Sequence, residues 1–172
     1  RGLGDVYKRQ PLTIADKKSN DIIYDALASY EIPFLSEEGK EIPYDERKKW
    51  DYLFIIDPLD GTKEFVKKNG EFTVNIALVK KDKPILGVIY SPVSGELFFS
   101  LADFGVYKKT SFKSFLDIKL LLYDAIELPK NNKRTKYVIV GSRSHMSKET
   151  QAFFEKKKNE YTDVEILSLI HI

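Results

Sequence analysis

The chain has 172 residues, enough for one domain with a real core, and its 42% hydrophobic and 31% charged residues are typical of a soluble globular protein rather than a disordered one. Its 28 basic and 26 acidic residues nearly balance, so charge alone gives no reason to expect nucleic-acid binding. The absence of cysteine excludes a disulfide framework and thiolate chemistry, and no apolar run approaches the roughly 18 residues that a membrane span needs.

The first predicted element is a helix. Thr13 or Asp16 can cap a helix that extends to about Tyr30, because short polar side chains satisfy the free N–H groups of a first turn. Apolar residues at helical spacing give it one apolar stripe: Ile22, Ile23, Ala26 and Leu27.

Two apolar runs separated by a charged loop follow this helix. Residues 32–35 form a short apolar run, residues 40–49 indicate a surface loop, and residues 50–56 predict a buried strand. Pro58 fixes the chain and removes a backbone donor, so we expect a sharp exit from the strand at Asp57-Pro58.

The rest of the chain predicts strands, turns and one further helix. An antiparallel meander is expected from the apolar, β-branched segments 72–79, 84–90, 96–101 and 105–109, which turns separate. Residues 113–127 fit either strands or a helix, residues 130–136 a basic loop, and residues 137–140 a strand that ends at Gly141. Residues 146–158 predict a charged helix with Phe153 and Phe154 toward the core. Strands and helices mix without strict alternation, which predicts α+β layers rather than a doubly wound sheet.

Two carboxylates three residues apart directly follow the predicted strand at residues 50–56. Asp57 and Asp60 are suitable ligands for Mg²⁺, which usually takes one or two carboxylates together with substrate phosphate. Gly61 permits a close approach of backbone or ligand, and Thr62 supplies a hydroxyl that can bind a metal or orient a water. The segment therefore predicts a metal-assisted phosphate site. Residues 57–61 alone favour about equally a strand-to-helix turn with Asp60 as the N-cap.

The longer run at residues 57–65, DPLDGTKEF, is far more specific. It resembles the signature of the inositol monophosphatase-like, Mg²⁺-dependent phosphatase superfamily, and its Lys63-Glu64-Phe65 ending resembles the 3'(2'),5'-bisphosphate nucleotidase branch, the CysQ type. The resemblance covers about residues 11–166. It implies a layered α/β sandwich of the sugar phosphatase type, incomplete at the C-terminus.

Two upstream segments also resemble family elements. By themselves, two glutamates after an apolar run are a solvated corner, and Asp16 is an ordinary N-cap. The family carries an S-E-E segment whose first glutamate is a metal ligand, and Glu37 of Ser36-Glu37-Glu38 matches it. The family element S-P-[LV]-T-x-A-D contains an Asp that positions the attacking water, and Asp16 matches that Asp, although Gln10 stands where the family has Ser.

A downstream segment, Ser142-Arg143-Ser144-His145, supports the same branch. A lone histidine in a loop is more often structural, but a Ser/Arg/His loop after a strand can also hold a phosphate or a ribose through hydrogen bonds. Bisphosphate nucleotidases have [ST]-R-S-H here, and its first and last residues contact the nucleotide. Ser142 and His145 match those positions, whereas residues 71–75 match the branch as a structural strand.

The resemblance implies a specific role for each of the predicted site residues. Two or more Mg²⁺ ions bind, with Asp57 bridging two of them; Glu37 and the Leu59 carbonyl complete the first site, and Asp60 helps hold the second. Thr62 and Asp16 orient the nucleophilic water. The N–H groups of Gly61 and Thr62 receive the phosphate.

The implied reaction is hydrolysis of adenosine 3',5'-bisphosphate to AMP and phosphate, linked to sulfur assimilation, with phosphoadenylyl sulfate as a further substrate and Li⁺ as an inhibitor. The implied partner is a small nucleotide rather than a nucleic acid, and the implied location is the cytoplasm, with the cytoplasmic face of the inner membrane as an alternative. Two other readings stay open: an inositol monophosphatase or another sugar phosphatase of the superfamily, and a non-enzymatic remnant that keeps a phosphate pocket.

Both ends of the chain differ from the rest. Residues 1–10 and 167–172 resemble translated adapter sequence, so we expect them to be non-native and the family domain to occupy residues 11–166 in part. Family members continue with G-S-x-x-K-like and W-D-x-A-A-G segments that this chain lacks. The chain as written is therefore expected to have little or no activity.

Overall fold

The computed structural model describes residues 13–111, 118–129, 136–141 and 146–168. The chain divides into two compact units, Arg1–Pro129 and Lys130–Ile172, and each has its own sheet. Among the described residues, no helix has both the length and the hydrophobicity that are needed to cross a membrane.

The first unit is built on a seven-stranded sheet in which the strands lie side by side in chain order. These strands are β1 (Phe34–Ser36), β2 (Tyr52–Asp60), β3 (Thr73–Lys80), β4 (Lys83–Ser91), β5 (Glu96–Leu101), β6 (Gly105–Lys109) and β7 (Ile126–Leu128). The short strand β1 runs parallel to β2, and every other neighbouring pair is antiparallel. The predicted α+β architecture and the predicted meander are confirmed.

The helices of this unit are α1 (Ile14–Leu27), α2 (Tyr44–Arg47), α3 (Thr62–Lys67) and α4 (Ile118–Leu122), with a 3-10 turn at Ala28–Tyr30. Helix α2 lies in the segment predicted as a loop, and α4 and β7 account for the described part of the segment that fitted either strands or a helix.

Helix α1 begins at a reciprocal cap, as the sequence predicts. Thr13 accepts hydrogen bonds from the backbone of the first turn, and Asp16 accepts one from Thr13 N in return. The predicted apolar stripe is partly wrong, because Ile22 is 69% exposed and Ala26 is exposed. The face of α1 toward β2 instead buries Asp16 and partly covers Ile23 and Leu27.

Strand β2 is buried on one face only. Phe54 and Ile56 are buried, while Ile55 between them is 42% exposed, as the alternation of side chains along a strand requires. Phe34 of β1 stacks on Phe54 with ring centroids 5.5 Å apart, and Tyr24 of α1 contacts Phe34 in turn. These contacts join α1 and the first two strands into one core.

The expected sharp turn at Asp57-Pro58 is wrong, because β2 continues to Asp60. Asp57 pairs with Asn75, but Asp60 pairs with Thr73, so β2 has one residue more than β3 over this stretch. An extra residue on one strand is a β-bulge, one of the few places where a sheet tolerates proline. The bulge, rather than a turn, separates the two carboxylates.

The second unit consists of the parallel strands β8 (Tyr137–Gly141) and β9 (Val164–Ser168) and the helix α5 (Lys148–Glu160) between them in sequence. Phe154 is buried as predicted, but Phe153 is 48% exposed, so the prediction for Phe153 is wrong. Strand β9 was not predicted, and it includes Leu167, which pairs with Val140.

Candidate functional site

Parallel pairing brings Glu37 next to Asp57. Ser36 of β1 lies opposite Ile56 of β2, and the N–H of Glu37 donates to the Ile56 carbonyl at 3.1 Å. Glu37 directly follows Ser36, and Asp57 directly follows Ile56. Because the two strands are parallel, both carboxylates lie at the same end of the paired segment. The structure thus brings together residues that are 20 positions apart in the sequence.

The Asp57 carboxyl has a perturbed pKa. Burial, the negative charges of Glu37 and Asp60, and a hydrogen bond with Glu37 raise its pKa to about 7, against the opposing effect of the Leu59 N–H, which donates to Asp57 Oδ1 at 3.1 Å. Without a cation, Asp57 therefore keeps a proton to a higher pH than an ordinary aspartate does. A divalent cation would relieve the same repulsion.

Glu38 belongs to the same acidic environment. Its pKa is raised, chiefly by burial and then by the charges of Asp16 and Glu37, while Lys17 lowers it. The family resemblance assigns only Glu37 of this pair to the metal, and the structure places Glu38 in the same electrostatic environment.

Asp16 and Thr62 meet in the interior of the first unit. Asp16 is 2% exposed and Thr62 7% exposed. The Thr62 hydroxyl lies 3.2 Å from Asp16 Oδ1 and 3.3 Å from the Leu59 carbonyl oxygen, both of which accept hydrogen bonds. The other Asp16 oxygen, Oδ2, accepts from Thr13 N at 2.7 Å and from the Thr13 hydroxyl. The two residues that were predicted to orient a water are therefore joined directly.

Gly61 connects the bulge to helix α3 through a conformation that only glycine adopts easily. Its φ is +90°, and a Cβ atom built on it would lie 2.9 Å from the Glu71 carbonyl oxygen. Thr62 begins α3 at the next position, and Phe65 N donates to the Gly61 carbonyl at 2.9 Å. This backbone path carries Thr62 directly from the bulge toward Asp16.

Asn75 was not predicted as a site residue, yet it contacts Asp60. Its side-chain N–H donates to Asp60 Oδ2 at 3.3 Å from the neighbouring strand. Its other side-chain atom, Oδ1, is shielded from solvent and has no hydrogen-bond partner within the described residues. Only the register of β2 and β3 reveals this contact, because Asn75 lies 15 residues beyond Asp60 in the sequence.

The described residues provide the one or two carboxylates that Mg²⁺ usually needs, but they do not surround a metal ion with protein ligands. No group of three or more His, Asp or Glu side chains in the described ranges is arranged so that it could hold a metal ion. Mg²⁺ usually needs only one or two carboxylates, with phosphate and water completing the shell. Glu37 and Asp57 are two such carboxylates, and a hydrogen bond joins them. Ser142 and His145, the predicted nucleotide contacts, lie outside the described residues.

Comparisons with known proteins agree on one family. A sequence profile of the Inositol monophosphatase family matches residues 4–168. The chain is 46% identical over 92 residues to the 3'(2'),5'-bisphosphate nucleotidase CysQ of Salmonella typhimurium, which is 52% of this chain and 37% of that protein. It is 38% identical over 150 residues to the same enzyme of Buchnera aphidicola, which is 86% of this chain and 52% of that protein.

A solved structure shows the same fold. The crystal structure of CysQ from Bacteroides thetaiotaomicron, described as a bacterial member of the inositol monophosphatase family, superposes with a TM-score of 0.84 at 42% identity. The match covers 93% of this chain and 60% of that one. The chain thus spans about half the length of the relatives that it matches.

Proposed function

This chain belongs to the inositol monophosphatase family, and on that premise we propose that the whole protein hydrolyses the 3'-phosphate of adenosine 3',5'-bisphosphate, giving AMP and phosphate. The names of the relatives, 3'(2'),5'-bisphosphate nucleotidase CysQ, support the nucleotidase branch. Two segments of the sequence support it independently, the Lys63-Glu64-Phe65 ending and the residues Ser142 to His145. Phosphoadenylyl sulfate is the second substrate that we propose, and the cytoplasm is the proposed location.

The observation that carries the proposal is the close carboxylate pair. Burial and the neighbouring charges of Glu37 and Asp60 raise the pKa of Asp57 to about 7, so ionising Asp57 is costly unless a cation offsets the negative charge. We assign Glu37, Asp57 and the Leu59 carbonyl to one Mg²⁺ site, and Asp57 with Asp60 to a second. Bound Mg²⁺ would lower the pKa of a water and neutralise charge on the phosphate.

The residues of this chain supply the orientation of the nucleophile. The Thr62 hydroxyl donates its proton to Asp16 Oδ1, which leaves the hydroxyl oxygen free to accept a hydrogen bond from an attacking water. Asp16 is buried and held by Thr13, so the carboxylate that accepts from the Thr62 hydroxyl is itself fixed. The N–H groups of Gly61 and Thr62 receive the phosphate, and Ser142 and His145 bind the nucleotide.

The test is divalent-dependent phosphate release. We would assay this chain, and a chimera in which it is continued by the segments that follow the matching region in the Bacteroides thetaiotaomicron CysQ. We expect release from adenosine 3',5'-bisphosphate in the chimera, with Mg²⁺ but not with EDTA, and inhibition by Li⁺.

The controls separate this activity from that of other family members. Asp57→Asn should reduce turnover about a hundredfold, because it removes the carboxylate that we assign to both Mg²⁺ sites. Inositol 1-phosphate and fructose 1,6-bisphosphate are the comparison substrates. Faster hydrolysis of either one than of the bisphosphate nucleotide would contradict the proposal.

A further inference from the structure

One face of helix α1 forms hydrogen bonds with three segments that carry predicted site residues. Asp16, Ser19 and Asn20 lie at positions i, i+3 and i+4, which share a face of a helix. Asp16 accepts from Thr62 on α3, Ser19 donates to the Pro58 carbonyl in the β2 bulge at 2.8 Å, and Asn20 accepts from Ser36 at the end of β1. Three segments from separate parts of the chain are therefore hydrogen-bonded to the same helix, α1.

We propose that Ser19 and Asn20 are positioning residues that set the spacing of the carboxylates in the metal site. This proposal rests on the proposed function, because it concerns the same metal site. Neither residue is assigned to the metal; Ser19 acts through the Pro58 carbonyl, and Asn20 acts through the Ser36 hydroxyl.

Ser19 fixes the bulge between the two aspartates. A bulge interrupts the regular hydrogen-bond ladder of the sheet. The Pro58 carbonyl accepts a hydrogen bond from the Ser19 hydroxyl. In the sequence, Pro58 directly follows Asp57 and comes two residues before Asp60. Without this bond, the bulge could relax along β2, and the two carboxylates would change their separation.

Asn20 fixes the turn that carries Glu37. The Ser36 hydroxyl donates to Asn20 Oδ1 at 2.6 Å, and the same Ser36 oxygen accepts from Glu38 N at 3.3 Å. The hydroxyl thus links the helix on one side to the backbone just beyond Glu37 on the other. Loss of the Asn20 acceptor would free Ser36 to rotate and would loosen the turn.

The carboxylates themselves supply the force that this face of α1 opposes. Glu37 and Asp57 follow the paired positions Ser36 and Ile56, and Asp60 ends the same strand as Asp57, so the helix holds together segments that carry like charges. Preorganisation against this repulsion lowers the cost of metal binding, because the protein need not reassemble the site each time.

The experiment measures Mn²⁺ binding to this chain by electron paramagnetic resonance of the free ion, with the thermal midpoint measured in parallel. We expect Ser19→Ala and Asn20→Ala each to weaken binding about tenfold, the usual lower bound for residues that support metal ligands. Ser19→Thr and Asn20→Gln keep the donor and the neutral amide acceptor, and we expect both to bind within about twofold of the wild type. Lys18→Ala, on an exposed position of the same helix, is the matched control and should bind as the wild type does.

The outcomes separate the two proposals. Weaker binding in both alanine variants, restored in the conservative variants although the thermal midpoints differ little, supports the positioning role. Wild-type affinity in both alanine variants overturns it and leaves the metal site standing. No Mn²⁺ binding by the wild type overturns the metal site and the positioning role together. Equal losses in alanine and conservative variants would also overturn it, because general destabilisation would then explain the effect.

Discussion

Asp57 makes the folded state sensitive to pH. Its pKa rises from 3.8 to about 7 on folding, so the folded state keeps a proton that the unfolded chain has lost. A raised pKa gives a contribution to stability that is fully present below about pH 3.8 and is lost as the pH rises to about 7. Above that pH, the ionised carboxylate opposes folding unless a cation is bound.

Asp57→Asn should therefore stabilise the protein in EDTA at pH 8 and have less effect at pH 5. The amide does not ionise, so it removes the repulsion with Glu37 and Asp60. Thermal midpoints at the two pH values measure the difference. Added Mg²⁺ should raise the midpoint of the wild type but not of the variant. The same shift at both pH values would contradict the assignment.

Gly61 should tolerate no side chain. Gly61→Ala combines a positive φ, which costs roughly 1–2 kcal/mol for an L residue, with a contact of 2.9 Å to the Glu71 carbonyl oxygen. Gly70→Ala is the matched control, because Gly70 has a similar φ of +80° but meets only the Val93 side chain. Urea unfolding should show the larger loss for Gly61→Ala. Equal losses would mean that the backbone contact relaxes freely.

At the scale of elements, the second unit depends on a close contact between its strand and its helix. A Cβ atom at Gly141 would lie 2.5 Å from Phe154 Cζ, so the absence of a side chain on β8 makes room for the ring from α5. Phe154 is 7% exposed, which leaves the ring little space to move away. This contact also explains why a glycine ends β8, which the sequence alone shows only as a boundary.

Gly141→Ala should destabilise the second unit by about 1–3 kcal/mol through overpacking. Gly141→Ala combined with Phe154→Leu should lose less than the sum of the two single changes, since the smaller side chain makes room for the methyl group. Hydrogen exchange of the Tyr137–Gly141 amides would report the local stability. Additive losses would contradict the contact.

At the scale of the whole molecule, the large sheet has one covered face and one that keeps apolar side chains exposed. Pairing across the strands places Ile55, Ile89 and Val106 on the same face, and each is more than 40% exposed. The opposite face buries Phe54, Ile56 and Leu97.

Replacing Ile55, Ile89 and Val106 together by threonine should reduce the binding of a hydrophobic dye about twofold, while the thermal midpoint changes little. Threonine keeps the β-branched shape that a strand favours. Phe54→Ala is the contrasting variant, and it should cost about 3–5 kcal/mol because it opens a cavity in the core. Unchanged dye binding in the triple variant would contradict this description of the surface.

The sequence predicts the parts of this molecule that depend on neighbouring residues. The helix at Thr13 and the meander follow from capping and alternation, and the family motif singles out Asp57 and Glu37. The sequence does not predict contacts that arise from register, such as Asn75 with Asp60, or from the bulge, such as Ser19 with Pro58. It also overestimates the burial of Ile22, because the buried face of α1 includes the polar residue Asp16.

The two carboxylate oxygens of Asp16 have different roles, so one substitution at this position affects both roles. One oxygen begins helix α1 through Thr13, and the other orients the Thr62 hydroxyl. Position 16 is therefore pleiotropic: a survey of all substitutions should find that cellular abundance and activity fall together there. At position 62, serine should keep both. A substitution at Thr62 can alter the proposed orientation of the water alone. A substitution at Asp16 also removes the side chain that accepts from Thr13 N at the start of helix α1.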